Sequence, residues 1–317
     1  MDRKREILMQ NIAEVVTKEE FDELLKKKKN PVVYCGYEPS GPMHLGHFVT
    51  ITKLQDLAEC GFRVKVLLAD VHAMLNKKGS REEIKKEVER WKKTLKAVGL
   101  KAEVVLGSDF QFKPDYVMDV MAMAQGSTIQ RGLRSMQEIA RDVENATISQ
   151  LWYPLMQVAD IKHLKADVAL GGMEQRKVHM IGKDMEKVIN YKFVALHTPL
   201  ITSLKGPGEK MSKSIPGSGI SITDSYEEIE KNIKNAYCPE KIVVENPILQ
   251  IMKLIIFPRF ENIEVKRERK FGGDLKFKNY AELEKSFAEG KLHPLDLKKS
   301  VVEYLEKIIA PIRKNYK

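Results

Sequence analysis

The sequence of 317 residues has few cysteines and no long apolar segment. Its three cysteines, Cys35, Cys60 and Cys238, are widely spaced, which favours neither a disulfide framework nor a C-x-x-C metal site. Apolar runs such as Leu254 to Phe257 are far shorter than the roughly 20 residues of a membrane span. Met1 is followed by charged residues rather than an apolar segment, so no secretory signal is expected. We therefore predict a cytoplasmic protein without a membrane helix.

The composition is that of a folded protein with an excess of positive charge. Apolar residues make up 43% of the chain and charged residues 31%, which is enough to bury a sizeable core. Lys and Arg number 54 against 44 Asp and Glu, giving a net charge of +10 that is not confined to one tail. This excess favours a polyanionic partner such as a nucleic acid, although basic proteins without such a partner also exist.

Short β-branched runs alternate with amphipathic helices in the first part of the chain. The predicted strands are Pro31 to Tyr37, Phe62 to Asp70, Ala102 to Leu106, Asp167 to Gly172 and His197 to Ile201. The predicted helices include His44 to Glu59 and a helix from Ser80 to Val98, where Ser80 and Glu83 form a capping box. This alternation predicts an α/β fold with a doubly wound, Rossmann-like parallel sheet.

The later part of the chain differs in character. Residues 112–150 are helical, rich in Arg and Gln, and predict an insertion. Residues 205–224 contain several Gly and Pro residues and predict a mobile loop. From residue 225 to 317 the pattern is mainly helical, ending in an apolar stripe that includes Val301, Leu305 and Ile309. We expect an α/β domain over 1–204, the loop, and a helical domain over 225–317.

The first predicted strand leads into a helix that opens with His44-Leu45-Gly46-His47. Free N–H groups at a helix N-terminus, next to the carboxyl edge of a parallel sheet, favour phosphate oxygens. The two imidazoles share one helix face as donors, and Gly46 has no side chain to block a flat ring. A zinc site is the alternative, but the sequence offers no third ligand nearby, so we expect no metal ligands here.

The glycine-rich loop contains Lys210-Met211-Ser212-Lys213-Ser214. Two lysines and two hydroxyls on a flexible segment are suited to close over a triphosphate and stabilise a departing pyrophosphate. A solvated loop is the alternative, because such a pentapeptide is weak evidence by itself. Its combination with H-x-G-H makes the pattern specific.

A predicted helix from Ser149 to Leu164 carries a narrow polar stripe on an apolar background. Tyr153, Gln157 and Asp160 lie within about 60° of one another at the helical repeat of about 100° per residue. A carboxylate in this position needs a donor, which an internal hydrogen-bond network or a polar ligand would provide.

These motifs resemble those of class I aminoacyl-tRNA synthetases, most closely tyrosyl-tRNA synthetases of the archaeal and eukaryotic type. The resemblance covers nearly the whole chain and includes GYEPSGPMHLGH at 36–47, YPLMQVADIKHL at 153–164, VALGGMEQRKVHM at 168–180 and EKMSKS at 209–214. Archaeal relatives often carry Ser where Lys213 stands, so this position departs from the family pattern and the resemblance supports its role less strongly than that of Lys210. The resemblance implies ATP, with its Mg²⁺, and L-tyrosine as substrates, and tRNA(Tyr) as a partner.

The resemblance also implies roles for individual residues. Tyr34 and Asp160 would grip the phenolic hydroxyl, and Tyr153, Gln157 and Gln175 would surround the α-amino group. Leu67 and His72 would line the same pocket, although each could equally belong to the core. The residues expected to bind ATP are Gly36, Pro39, His44, Gly46, His47, Lys210, Met211, Ser212, Lys213 and Ser214. His44, His47, Lys210 and Lys213 are the expected catalytic residues, and Asp70 is a further candidate for orienting ligands.

The expected tRNA contacts lie in both parts of the chain. Arg134, Arg176 and Lys177 match positions that meet the acceptor end, and Phe271, His293, Pro294 and Asp296 match the anticodon reader in the helical domain. A solvated surface is the alternative for the basic residues, and a helix start is the alternative for Pro294 and Asp296. The 112–150 insertion resembles a dimer surface, which implies a homodimer.

Three other functions remain open from the sequence. A tryptophanyl-tRNA synthetase shares the fold but has no substrate hydroxyl for Tyr34 and Asp160 to bind. A small-molecule nucleotidyltransferase also uses H-x-G-H but needs no helical domain for tRNA. A non-catalytic RNA-binding protein would not need the histidines and lysines of the two motifs.

Overall fold

A computed structural model describes residues 3–137, 145, 147–213 and 215–316. The chain forms two compact units. The first comprises Met1–Ser40, Lys53–Lys92 and Leu100–Pro199, and the second comprises Gly41–Thr52, Lys93–Gly99 and Leu200–Lys317. Ser214 and part of the predicted 112–150 insertion, residues 138–144 and 146, lie outside the described residues.

The first unit is built on a six-stranded, mostly parallel sheet. Its strands are β1 (Glu14–Val16), β2 (Val32–Tyr37), β3 (Arg63–Leu68), β4 (Glu103–Leu106), β5 (Val168–Gly172) and β6 (Val194–Thr198). Their order is β1-β6-β5-β2-β3-β4, and only β1 is antiparallel to its neighbour. The chain proceeds outward from β2 to β4 and then returns to β5 on the other side of β2. This reversal creates a crevice at the carboxyl ends of β2 and β5, where such sheets bind ligands.

The helices of this part of the chain lie before and between these strands in the sequence. They are α1 (Arg3–Met9), α2 (Lys18–Lys27), α3 (Leu45–Glu59), α4 (Asp70–Leu75), α5 (Arg81–Val98), α6 (Pro114–Gly126), α7 (Ile129–Met136), α8 (Ile148–His163) and α9 (Arg176–Asp184). The capping box at α5 is present, because Ser80 Oγ accepts from Glu83 N at 3.3 Å and Glu83 Oε2 accepts from Ser80 N at 2.7 Å. The predicted doubly wound α/β class is confirmed.

The second unit is mainly helical. It contains α10 (Tyr226–Asn235), α11 (Pro247–Ile251), which continues as a π-helix over Met252–Ile256, α12 (Tyr280–Ala288) and α13 (Pro294–Asn315), with a hairpin of β7 (Ile263–Val265) and β8 (Leu275–Phe277). Val301, Leu305 and Ile309 of the predicted stripe are buried in α13, which packs on α10. The domain boundaries inferred from the sequence stay predictions.

Several predicted elements were wrong in detail. The strand expected at His197 to Ile201 lies at Val194–Thr198, because Pro199 lacks an N–H to continue the ladder. Asp70 begins α4 instead of ending β3. Strand β1 and the β7–β8 hairpin were not predicted, since strands of three residues are too short to show an alternation. No helix among the described residues combines the length and the apolar character required to cross a bilayer.

Candidate active site

One group of predicted site residues lies at the crevice of the first unit. Tyr34 and Gly36 project from the same face of β2, and Gly36 pairs with Leu67 of β3. Tyr34 and Leu67 are both 1% exposed and belong to one apolar cluster with Ile161 of α8. A Cβ on Gly36 would lie 3.3 Å from Tyr34 Oη, so the glycine leaves room for this phenol. The structure therefore brings Tyr34, Leu67 and α8 together, and their role in binding tyrosine stays a prediction.

Asp160 of α8 is completely buried next to this cluster. Its Oδ1 accepts from Gln111 Nε2 at 2.7 Å and from Tyr116 Oη at 2.9 Å. Gln111 Nε2 also lies 3.3 Å from His72 Nδ1, which makes Nδ1 the acceptor and places the His72 proton on Nε2. The internal network considered from the sequence is thus real, but it uses only one carboxylate oxygen.

Three polar atoms around Asp160 have no hydrogen-bond partner among the described residues. They are Asp160 Oδ2, His72 Nε2 and Gln111 Oε1, and all are buried. Asp160 Oδ2 lies 3.7 Å from His72 Nε2, and burial lowers the pKa of His72 to about 4, so this pair is not an ion pair at neutral pH. Because buried polar atoms are normally paired, three such atoms together indicate a site for a polar ligand group.

Burial raises the pKa of Asp160 to about 7, although the bonds from Gln111 and Tyr116 favour the charged form. Between about pH 4 and 7 the folded protein therefore keeps a proton on Asp160. In the unfolded chain this carboxyl group has its ordinary pKa of 3.8 and has released the proton. The free energy of unfolding should therefore fall as pH rises from 4 to 7, by up to about 4 kcal/mol.

Asp160→Asn should remove this pH dependence, because the amide is neutral throughout. Urea unfolding of both proteins at pH 4.5, 6 and 7.5 measures it, and the stability advantage of the variant should grow with pH. An advantage that is independent of pH would contradict the assignment of this ionisation to Asp160.

Tyr153, Gln157 and Gln175, a second set of predicted residues, form a polar surface on the same side of α8 as Asp160. Gln157 Nε2 donates to Gln175 Oε1 at 3.0 Å, and Gln175 ends a short 3-10 helix that directly follows β5. The Tyr153 ring meets the His72 ring edge-on, with 4.5 Å between centroids. Burial raises the pKa of Tyr153, and the nearby Glu38 carboxylate makes a smaller contribution in the same direction. The polar stripe of α8 therefore connects the carboxylate end to the glutamine pair.

Sequence reasoning missed Gln111, Tyr116 and Glu38. Glu38 accepts from Asn76 Nδ2 at 2.9 Å and lies 3.4 Å from Lys78 Nζ. Gln111 follows the carboxyl end of β4, so the rule that ligand sites form at the carboxyl edge of a parallel sheet could have found it. Tyr116 is on α6 and gives no such signal. Asp70 Oδ1 accepts from Ser108 N at 3.0 Å, which is a structural bond between α4 and the turn after β4.

The H-x-G-H residues lie in the second unit, around the start of α3. Gly46 N donates to His44 Nδ1 at 3.1 Å, and His44 N donates to His47 Nδ1 at 3.3 Å. Both Nδ1 atoms are therefore acceptors, and each ring carries its proton on Nε2. The ring centroids are 3.8 Å apart. The two imidazoles are thus oriented by backbone N–H groups as a pair of neutral donors.

Both imidazoles are uncharged at neutral pH. Burial, followed by the charges of Lys210 and Lys213, lowers the pKa of His44 to about 3. Burial also lowers the pKa of His47 well below its ordinary value, with smaller contributions from His44 and Lys210. A Cβ on Gly46 would lie 2.9 Å from His44 Nδ1, so here the glycine accommodates the His44 ring. Its expected contact with a nucleotide stays a prediction.

The predicted glycine-rich loop, residues 205–224, is connected by backbone hydrogen bonds to the residues that precede it. Met211 N donates to Ile201 O and Ser203 N donates to Glu209 O, each at 2.8 Å, while Lys210 pairs with Thr202. Met211 is buried, and Lys213 Nζ binds Asp224 Oδ2 at 2.8 Å. The expected mobility of this loop stays a prediction. Of the remaining predicted ATP-binding residues, Pro39 is buried and Gly36 is exposed, both in the first unit.

The residues predicted to meet the tRNA acceptor end are exposed in the first unit. Arg176 Nε donates to both carboxylate oxygens of Glu14, at 2.8 and 2.9 Å, and Lys177 Nζ donates to Gln137 Oε1 at 3.3 Å. Arg134 is exposed in the last turn of α7. Glu14 also binds His197 Nδ1 at 2.9 Å, so Arg176 is fixed against the sheet edge.

Three of the four predicted anticodon residues lie at the start of α13. His293 is the N-cap and accepts from Leu295 N at 3.2 Å, Pro294 is the buried first residue, and Asp296 lies in the first turn. These positions agree with the helix-start interpretation and leave the tRNA role a prediction. Phe271 ends a short 3-10 helix, and its side chain is not part of the described structure. Within the described residues, no group of three His, Cys, Asp or Glu side chains could hold a metal ion.

Comparison with known proteins is consistent with this arrangement. Residues 26–310 match the family of class I tRNA synthetases (W and Y). The chain is 48% identical to the tyrosine–tRNA ligase of Archaeoglobus fulgidus over 315 residues, covering 98% of this chain and 97% of the ligase. The crystal structure of the Archaeoglobus fulgidus tyrosyl-tRNA synthetase complexed with L-tyrosine superposes with a TM-score of 0.94 at 47% identity, covering 99% of each chain.

A more distant structure has the same fold. The tyrosyl-tRNA synthetase of Pyrococcus horikoshii, complexed with L-tyrosine, gives a TM-score of 0.92 at 34% identity and covers 99% of this chain and 96% of that one. The family model matches most of the chain, and the relatives are similar to it over nearly their full length. This chain belongs to the class I tRNA synthetases of the tryptophan and tyrosine group.

Proposed function

We propose that this chain catalyses the ATP-dependent attachment of L-tyrosine to tRNA(Tyr), first forming tyrosyl-adenylate and then transferring the tyrosyl group to the 3′ end of the tRNA. The observation that carries the proposal is the fully buried Asp160 carboxylate, which has one oxygen held by Gln111 and Tyr116 and the other without a partner among the described residues. A phenolic O–H is a donor of suitable chemistry for this oxygen.

Recognition of the amino acid would depend on both ends of the polar stripe. Asp160 Oδ2 accepts a hydrogen bond from the substrate hydroxyl, and Tyr34 of β2 contributes to the same end of the pocket. Tyr153, Gln157 and Gln175 bind the α-amino end. Phenylalanine and tryptophan have no hydroxyl to offer, so the buried Oδ2 of Asp160 would stay without a donor, which costs several kcal/mol.

In the activation step, a carboxylate oxygen of tyrosine attacks the α-phosphorus of ATP, and the bond to the departing pyrophosphate breaks. His44 and His47 would donate their Nε2–H groups to phosphate oxygens, and Lys210 and Lys213 would neutralise the charge that develops on the leaving group. The remaining expected nucleotide contacts are Gly36, Pro39, Gly46, Met211, Ser212 and Ser214. Mg²⁺ enters as part of the nucleotide substrate.

In the transfer step, a ribose hydroxyl at the 3′ end of the tRNA attacks the tyrosyl carbonyl carbon and AMP leaves. Arg134, Arg176 and Lys177 would bind the acceptor end, while Phe271, His293, Pro294 and Asp296 would bind the anticodon. Contacts to phosphates make this binding strongly dependent on salt. A cytoplasmic homodimer is the expected assembly.

Amino-acid-dependent ATP–pyrophosphate exchange tests this proposal. We expect exchange with tyrosine at a kcat/KM about 10²–10³-fold or more above that for phenylalanine or tryptophan, because those two amino acids leave the buried Oδ2 of Asp160 without a donor. Charging of tRNA(Tyr) should follow, and a reaction without amino acid is the control. A preference for tryptophan would identify the other enzyme of the group, and nucleotide turnover independent of any amino acid would identify a nucleotidyltransferase. Absence of any adenylate would indicate a non-catalytic RNA-binding protein.

A further inference from the structure

Lys213, the second lysine of the K-M-S-K-S segment, has a specific acidic partner. Lys213 Nζ lies 2.8 Å from Asp224 Oδ2, and the two side chains are 27% and 10% exposed. This pair is therefore largely shielded from solvent, unlike most surface ion pairs, which contribute little. No role for Asp224 followed from the sequence motifs.

Asp224 occupies a fixed position. Its Oδ2 also accepts from Ser221 N at 2.9 Å, and its backbone carbonyl accepts from Arg313 Nη1 at 2.8 Å. Ser221 Oγ donates to Met43 O at 3.1 Å. The carboxylate is therefore anchored to a segment that is bonded to the residues immediately before α3.

The same segment pairs with the H-x-G-H motif itself. His44 and Ser221 form an antiparallel bridge, in which Leu45 N donates to Ile220 O at 2.9 Å and Ile222 N donates to Met43 O at 3.1 Å. Asp224 thus holds the ammonium of Lys213 near the start of α3. In agreement with this, the charge of Lys213 contributes to the lowered pKa of His44.

The intervening loop does not hold Lys213 in place by its own conformational preference. Gly206, Gly208 and Gly217 all have positive φ, which glycine tolerates. Because glycine also adopts many other backbone conformations, these residues do not restrict the loop to one conformation. A lysine on such a loop samples many positions unless a partner fixes it. Its ammonium has three donors, so a bond to Asp224 leaves two for phosphate oxygens.

We propose that Asp224 is a positioning residue that holds Lys213 Nζ at the phosphate-binding start of α3, an inference that rests on the proposed function. Because the ammonium group of Lys213 is already in place, it stabilises the charge that develops on the departing pyrophosphate without an entropic cost of ordering the side chain. Asp224 acts through Lys213 and has no contact with substrate of its own.

A double-mutant cycle of Asp224→Asn and Lys213→Met tests the proposal in tyrosine-dependent ATP–pyrophosphate exchange. Asn keeps an oxygen that accepts from Ser221 N, and Met keeps the length of lysine without its charge. Asp224→Asn should lower kcat about 5–10-fold, the loss of one preorganised charge contact, with an unchanged KM for tyrosine. In the Lys213→Met background the same substitution should have no further effect.

Asp224→Glu is the matched variant, because it keeps the carboxylate and should recover part of the lost kcat when Lys213 is present. An equal fall in both backgrounds would overturn the proposal, since Asp224 would then act through the fold alone. No fall in the Lys213 background would overturn it as well. Absence of exchange in the unmodified protein would instead refute the proposed function, so the two failures are distinguishable.

Discussion

Asp160→Asn is expected to lower kcat/KM for tyrosine by about 10²–10³-fold in ATP–pyrophosphate exchange, while kcat/KM for phenylalanine changes little or rises. The carboxylate accepts from Gln111 and Tyr116 through one oxygen, and its other oxygen has no partner among the described residues. An amide is nearly isosteric but presents a weaker, neutral acceptor or an NH₂ donor. The selectivity for tyrosine over phenylalanine should therefore collapse.

Tyr116→Phe provides the control for this prediction. It removes one donor to Asp160 Oδ1 and leaves Oδ2 in place, so selectivity should be reduced much less than in Asp160→Asn. Thermal unfolding of both variants, with and without tyrosine, separates a loss of recognition from a loss of fold. An Asp160→Asn enzyme that still prefers tyrosine by the original factor would show that another group reads the hydroxyl.

His47→Asn is expected to reduce kcat of the activation step by about 10²–10³-fold with little change in KM for tyrosine. The imidazole accepts the N–H of His44 through Nδ1, so its proton is on Nε2, the atom that would donate to phosphate in the proposed function. Asparagine places its polar atom near the position of Nδ1 and provides no donor near that of Nε2. The change thus removes one charge-stabilising hydrogen bond and keeps the local backbone contact.

His47→Gln is the matched comparison, because its amide nitrogen reaches approximately the position of Nε2. It should retain more of the activity than His47→Asn, and steady-state exchange kinetics of the two variants measure the difference. Equal losses in both variants, or a change confined to KM for tyrosine, would contradict a role as phosphate donor. Because the pKa of His44 is about 3 and that of His47 is also lowered, neither imidazole should contribute a pH dependence between pH 6 and 8.

Local features of the fold were predictable because their causes lie within a few residues. The capping box of Ser80 and Glu83 defined the start of α5, and the spacing of apolar residues defined α8 with its polar stripe. Strand β6 was misplaced because Pro199 ends the ladder at Thr198, while its start at Val194 is selected by pairing with β5 and not by the local pattern. Strand β1 was missed for the same reason, since its pairing with β6 is its main support.

The sequence by itself determined the two motifs that we propose to bind phosphate, the basic charge and the polar stripe carrying Asp160, because each depends on residue types at short, fixed spacings. Only the tertiary structure decided how these groups are held. Gln111 and Tyr116 reach Asp160 from 49 and 44 residues away, and Glu14 reaches Arg176 from 162 residues away. Such partners are brought together by the order of strands and the packing of helices, and a hydrogen bond over that separation leaves no periodic trace in the chain.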